Sequence, residues 1–429
     1  MKKIITSAGL LAFGAASLQA ATLPRLSNEA KDKPWNIGAE LRGFYDDNYA
    51  TSVHALKQDS FGFEVKPAAS VNLISDQTYL GLSYVYDMRY YFDRQDHKAD
   101  HSHQANVKLT HAFSERYRMD LSDSFVIAQE PAILEPFGAV VVPLRSEGDN
   151  LRNTAQLSFA AELTEKLSTV VGYSNTIFDY EQSGPASRSA LLDRVENLGY
   201  VNLRWQALRT TVALVGYQYQ QVDYTSKDRL TSLIPVGNPN YALTDPEVRN
   251  NYSNYGYVGA DHFFNPELSA SIRVGVQFTQ YPNVPGGLGL DDSSTSPYVD
   301  ANSTWNFLEH SFFQLGVRHS RTQTDIAFFG GNLQPTVDAE TTAVYAMLSH
   351  RITPSITGSL LGQFQHSSFQ GGFADNLSDN FLITGLDFEY EINKFLSAVA
   401  GYNYDRLDSD LGGRSYTRNR VYVGIRASY

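Results

Sequence analysis

No cysteine occurs anywhere in the 429 residues. Disulfide frameworks, thiolate metal centres and an acylated cysteine anchor are thereby excluded, so the chain is neither a stapled secreted scaffold nor a lipoprotein. Beyond the first twenty residues no stretch approaches the ~20 apolar residues that a membrane-spanning helix requires. A helical membrane protein is therefore ruled out. Positive charge is in deficit, with 34 Lys and Arg against 46 Asp and Glu and a formal charge of −12, which argues against nucleic acid as a partner. Linkers and low-complexity segments are missing too, although a soluble chain of this length usually divides into two or more domains.

What is present begins with Lys2 and Lys3, an apolar run from Ile4 to Ala16, and Ser17-Leu18-Gln19-Ala20. Residues 1–20 read as a secretory signal peptide, with cleavage after Ala20 or Ala21. Residues 21–35 form a polar lead, expected in the periplasm, and residues 36–429 form one body. Aromatic residues are abundant, with 27 Tyr and 24 Phe.

The last thirteen residues, TRNRVYVGIRASY, state the pattern of that body. Val421, Val423, Ile425, Ala427 and Tyr429 share one parity and Arg420, Tyr422, Gly424, Arg426 and Ser428 the other. As a strand, the segment has one apolar and one wet face. A soluble sandwich strand would show the same, but here the pattern recurs along the whole chain behind an export signal. Residues 61–73 alternate cleanly, with Phe61, Phe63, Val65, Pro67, Ala69, Val71 and Leu73 opposite Glu64, Lys66, Ser70 and Asn72. A local irregularity is expected at Pro67, which cannot donate to a ladder.

The chain then repeats strand, tight turn, strand, long loop. Tight turns are expected at Ser75-Asp76-Gln77, Ser114-Glu115-Arg116, Thr164-Glu165-Lys166, Gln206-Ala207-Leu208, Asn265-Pro266-Glu267, Leu308-Glu309-His310, Thr353-Pro354-Ser355 and Ile392-Asn393-Lys394. Nine longer segments alternate with them. The expected fold is all-β: a closed antiparallel transmembrane β-barrel of about 18 strands, with 16 as the alternative, having short periplasmic turns and long extracellular loops. In hydrocarbon every peptide group must bond within the protein, so the sheet must close and the last strand must meet the first. Blades of a propeller do not fit, because the repeat consists of long hairpins without a Trp-Asp signature.

On the inward rows this reading places Glu40, Arg42, Glu64, Lys66, Asp87, Arg89, Lys108, Arg152, Arg204, Arg273, Arg318, Asp387, Glu389 and Arg426. So many ionisable groups in a dry core would be costly, so the interior is expected to be wet and these residues to line a pore. Charges of both signs suggest a transverse field across it.

Certain short motifs carry a family resemblance. Tyr45-Asp46-Asp47-Asn48, Asp59-Ser60, Ala400-Gly401-Tyr402-Asn403-Tyr404-Asp405-Arg406, Asp408-Ser409, Tyr416 and Asn419 to Val421 together resemble the β-barrel porin 2 family of outer-membrane proteins. The resemblance covers essentially the whole mature chain. It implies an outer-membrane barrel with a porin-like role and carries no catalytic or binding position with it.

Other candidate chemistry is weak. Asp93, Asp96, His97, Asp100, His101 and His103 could offer metal ligands, but their spacing matches no tight site, and a solvated loop is the simpler reading. His366 and Ser368 share a strand face without an identifiable orienting group or oxyanion stabiliser. Gly330-Gly331, Gly371-Gly372 and Gly412-Gly413 lead into no helix and read as turns. Neither an enzyme nor a cofactor is indicated. The segment from Glu130 to Glu147 is too apolar for a free tip. It is expected to fold inward as a constriction loop, with Glu130, Glu135 and Phe137 at the narrowing, or else to cap the barrel or cover a neighbouring subunit.

The expected function is passive diffusion of small hydrophilic solutes or ions across the bacterial outer membrane, where the chain would be integral. Alternatives are a conduit for exopolysaccharide export and a closed structural or surface barrel. Expected partners are outer-membrane lipid and lipopolysaccharide, the barrel-assembly machinery through the C-terminal strand, and other copies in a homo-oligomer.

Overall fold

Alternation gives every strand one apolar and one polar face, and a sheet can keep both flanks of every strand hydrogen-bonded only by closing on itself. The computed structural model describes residues 34–129, 148–285, 290–327 and 334–429. They form eighteen strands. The first nine are β1 (Trp35–Asp46), β2 (Ser60–Ile74), β3 (Thr78–Tyr91), β4 (Ala99–Ala112), β5 (Tyr117–Ala128), β6 (Asn150–Glu162), β7 (Leu167–Tyr180), β8 (Arg194–Leu208) and β9 (Thr211–Tyr224). The second nine are β10 (Asn251–Phe263), β11 (Leu268–Gln280), β12 (Ser293–Leu308), β13 (Ser311–Thr322), β14 (Asp338–Thr353), β15 (Ile356–Gln370), β16 (Ser378–Asn393), β17 (Leu396–Ser409) and β18 (Tyr416–Ser428).

Each strand pairs antiparallel with its neighbours in sequence. The barrel closes where β1 meets β18, from Gly38 opposite Ser428 to Asp46 opposite Arg420. The even strand number leaves the start of β1 and the end of β18 on the side of the eight short turns. Among the described residues no helix is long and apolar enough to cross a membrane. Helix α1 (Arg188–Leu192) is a single loop element, capped by Ser187, whose Oγ accepts from the Ala190 amide at 3.1 Å.

Two of the expected turns lie one to two residues early. Gln206-Ala207-Leu208 belongs to β8 and the chain reverses at Arg209-Thr210; Ile392-Asn393 belongs to β16 and the reversal falls at Lys394-Phe395. Both strands end in a register shift, between Gln206 and Leu208 and between Glu391 and Asn393. The extra residue in β8 flips parity, so Leu208 faces outward although alternation alone would turn it in, whereas Ile392 keeps the outward parity of Leu386, Phe388 and Tyr390. At Pro67 the ladder to β3 skips residues 66 and 67 and resumes at Ala68 opposite Val85 without a change of register.

The outward rows are apolar, as in Ile37 and Leu41 of β1 or Val421, Val423 and Ile425 of β18, all about half exposed or more. Near the long-loop end an outward Tyr hydroxyl repeatedly donates to an Asn carbonyl on the next strand. Tyr173 bonds Asn197 at 2.5 Å, Tyr217 bonds Asn254 at 2.6 Å and Tyr402 bonds Asn419 at 2.6 Å. Tyrosines at this level have the amphipathic character of an interfacial girdle. Above it the long loops pack on one another around Leu230, Leu243, Val248, Tyr281, Val284, Ala327 and Val337.

Candidate functional site: the barrel interior

Strand register decides which side chains share the interior. All fourteen residues expected to face inward lie on the inner parity, opposite the exposed apolar rows. Nine of them gather on one side of the barrel, across the closure. Arg426 on β18 bonds Glu40 on β1 at 2.7 Å and Glu389 on β16 at 2.9 Å. Arg42 continues from Glu40 to Glu64 on β2 at 3.3 Å. Glu64 also accepts from Arg89 on β3 at 2.6 Å and lies 3.0 Å from Lys66, which reaches Asp87 at 3.3 Å. Asp387 on β16 accepts from the Tyr422 hydroxyl, and the Arg42 guanidinium lies 4.1 Å above the Tyr422 ring.

A second group sits on the far wall. Asp261 on β10, fully buried, binds Arg204 of β8 at 2.8 Å and Arg273 of β11 at 3.0 Å. Arg318 lies opposite Asp300, which in turn lies opposite Arg273. Lys108 and Arg152 stand on β4 and β6 of the intervening wall, each opposite a serine or aliphatic inner residue of β5. In the two groups the opposite charges compensate each other across one or two strands. A carboxylate held between cations loses much of its desolvation penalty, which makes so ionic a wall tenable.

Sequence reasoning omitted other inner charges. Asp46 pairs with Arg420 at 2.8 Å and Asp405 with Arg418 at 2.5 Å, both on the parity that alternation marks as inward. A third set could not be read from alternation because it involves loops. Arg414, after β17, binds Asp325, after β13, at 2.6 and 2.9 Å and Asp379 at 2.9 Å. Burial alone would lower the Arg414 pKa, but Asp325 and Asp379 offset it and hold the guanidinium above its ordinary value. It stays cationic at any physiological pH. Arg249, fully buried, donates to the carbonyls of Leu191 at 2.9 Å and of Thr324, tying the ends of three loops together over the Tyr224 ring.

A tyrosine stitch organises the inner surface between the charges. Gly172 lies opposite Tyr200, Gly216 opposite Tyr257, Gly316 opposite Tyr345 and Gly401 opposite Tyr422. A Cβ on any of these glycines would fall into the facing ring. With the ring flat across the glycine, the hydroxyl reaches the strand beyond. Tyr257 of β10 crosses β9 to bond Asn202 of β8 at 2.7 Å, and Tyr422 of β18 crosses β17 to bond Asp387 of β16. Each of these inner glycines thus marks a tyrosine on the facing strand.

The remaining candidates separate. In the Asp93 to His103 stretch, β4 starts at Ala99, and its alternation turns Asp100 inward to Arg94 at 2.5 Å while His101 and His103 face outward. The two imidazoles bond the hydroxyls of Tyr86 at 2.7 Å and Tyr84 at 2.8 Å. Opposite faces of the wall prevent these groups from sharing an ion. His366 and Ser368 face outward, and His366 Nδ1 lies 2.9 Å from Asn380 rather than on the serine. The proposed constriction residues Glu130, Glu135 and Phe137 lie outside the described residues, as does Gly330-Gly331.

A closed antiparallel barrel with an apolar, tyrosine-girdled exterior and an ionic interior defines an integral outer-membrane β-barrel of the porin type. Residues 290–429, from before β12 to the end of the chain, match the model of the family described as "Putative beta-barrel porin 2", the family that the short motifs resemble. No curated protein matches the chain. Among solved structures it is similar to the FrpB iron transporter of Neisseria meningitidis (F5-1 variant), at 10% identity and a TM-score of 0.46, covering 93% of this chain and 83% of that one. It is also similar to OpdK of Pseudomonas aeruginosa, at 11% identity and a TM-score of 0.43, covering 92% and 99%. For OccAB4 of Acinetobacter baumannii the values are 12%, 0.43, 92% and 98%.

Proposed function

We propose that the protein is a passive diffusion pore for small hydrophilic solutes, with the fourteen inward ionisable residues lining its aqueous path. The observation that carries the reading is the concentration of paired charge on the inner parity of a closed eighteen-strand sheet. Eighteen strands suffice for a wet interior, and a dry one would have no use for so many ions. Pairing makes the wall a set of local dipoles, so sieving is mainly steric with a modest electrostatic bias. No reaction is proposed. Residues 1–20 act as the export signal, the lead from residue 21 up to the start of β1 at Trp35 remains periplasmic, and the terminal strand addresses the chain to the barrel-assembly machinery.

Purified protein reconstituted in planar bilayers should conduct, and conductance should fall stepwise as the salt's cation or anion is enlarged. A barrel that inserts but passes no current would end the diffusion reading and favour a closed surface barrel.

A further inference from the structure

The ladder between β12 and β13 stops early. Its last pair toward the long loops is Val299 opposite His319, yet both strands run on, β12 back to Ser293 and β13 up to Thr322. Each remains paired on its other flank, Ser293–Pro297 to β11 and Ser320–Thr322 to β14. Only the seam between them lacks a ladder. Pro297 stands where the next bonded pair would form, opposite Arg321 by continuation of the register, and it has no N–H to give.

Side chains close the seam instead. The Arg321 amide, which faces β12, donates to Gln277 Oε1 at 2.9 Å. Gln277, only 2% exposed, reaches from β11 across the inner surface and donates to Ser253 and Thr279 at 3.2 and 3.3 Å. The Arg321 guanidinium bonds Ser296 Oγ on β12 at 2.7 Å and Asp338 of β14 at 2.7 Å. Glu340 completes the outer side, 3.0 Å from His319 and accepting from Ser296 at 3.3 Å.

Backbone groups facing hydrocarbon without a ladder are costly, and side-chain bonds break singly where a ladder breaks cooperatively. We propose that this upper seam is a side port in the barrel wall, latched by Arg321, through which an amphiphile moves between the lumen and the outer leaflet. The inner lip is polar, with Gln277, Ser253 and Ser296. The outer lip is flanked by Val276, Phe278, Leu315 and Val344, all exposed. A molecule with an acyl chain and a polar head matches both lips, and a released guanidinium at headgroup depth favours an anionic head. The port goes beyond the diffusion reading and does not depend on it.

The natural chain lacks cysteine, so Asn302→Cys, on the inner parity of β12 below the seam, supplies a unique thiol. In nanodiscs it is offered N-dodecylmaleimide dissolved in the lipid, and in parallel a water-soluble maleimide. Labelling by the lipid-borne reagent should occur, slow by about tenfold when Pro297→Val restores the missing donor, and quicken several-fold in Arg321→Gln. The water-soluble reagent should react alike in all three. Absence of lipid-borne labelling, or a rate indifferent to Pro297→Val, overturns the port; should Arg321→Gln fail to fold, the Pro297→Val arm decides alone. A barrel without bilayer conductance that still takes up the lipid-borne reagent would remove the diffusion reading and leave the port standing.

Discussion

Gly316 and Tyr345 form the smallest unit that the barrel repeats. A tyrosine ring can lie flat on the inner wall only where the facing residue has no Cβ, and four such pairs occur at directly opposed positions. Gly316→Val should therefore lower stability by about 1–3 kcal/mol through overpacking against the ring. Gly199→Val, on the outward face where an added Cβ meets nothing within 4 Å, should stay within about 0.5 kcal/mol. Urea titration of both variants in the same lipid vesicles measures the difference, and equal losses would dismiss the stitch as an energetic unit. Tyr345→Ala should largely relieve the Gly316→Val defect, because the clash needs both partners. The glycines were visible in the sequence, but the alternation that put them on the inner row does not reveal a partner some 30 residues away. That partner follows from register.

At the scale of strands and loops, period-two alternation made nearly all of the architecture readable: eight turns, nine loops and the parity of each inner charge. It failed where parity changes locally. Leu208 looks like a turn residue because a bulge reverses its side, and Pro297 looks like an ordinary outward residue because only the neighbouring strand's register exposes its missing donor. Loops carry no periodicity, so the contacts of Arg249 and Arg414 left no trace in it. Arg249 joins the carbonyl ends of α1 and β13 from a fully buried position. Arg249→Gln should free those carbonyls without touching the ladder. Hydrogen exchange should quicken in residues 188–193 and 323–327 while the amides of β8 and β13 keep their protection. If exchange instead rises along the strands, Arg249 supports the wall rather than the loops.

For the whole molecule, closure is the decisive property, and the densest charge network lies on it. Nine inner residues from β16 through β3 interlock across the β18–β1 junction, so the strands joined last in chain order are also cross-linked by ions. Glu64 is the hub, because Arg42, Lys66 and Arg89 all converge on its one carboxylate. Glu64→Gln keeps the shape, removes one negative charge, and leaves three cations around a neutral amide. In a conducting barrel the unbalanced positive charge should favour anions, raising the anion-to-cation permeability ratio by roughly twofold, with a larger effect at low salt because screening is weaker. The sign follows from which partner is lost: Lys66→Met removes a cation from the same network and should shift the ratio the other way. Reversal potentials under a salt gradient measure both, with unfolding midpoints as a control, since the stranded cations should cost about 1–3 kcal/mol of stability. Shifts of the same sign in the two variants would mean that these charges act through the fold alone, and identical reversal potentials would place the permeation path away from the closure wall.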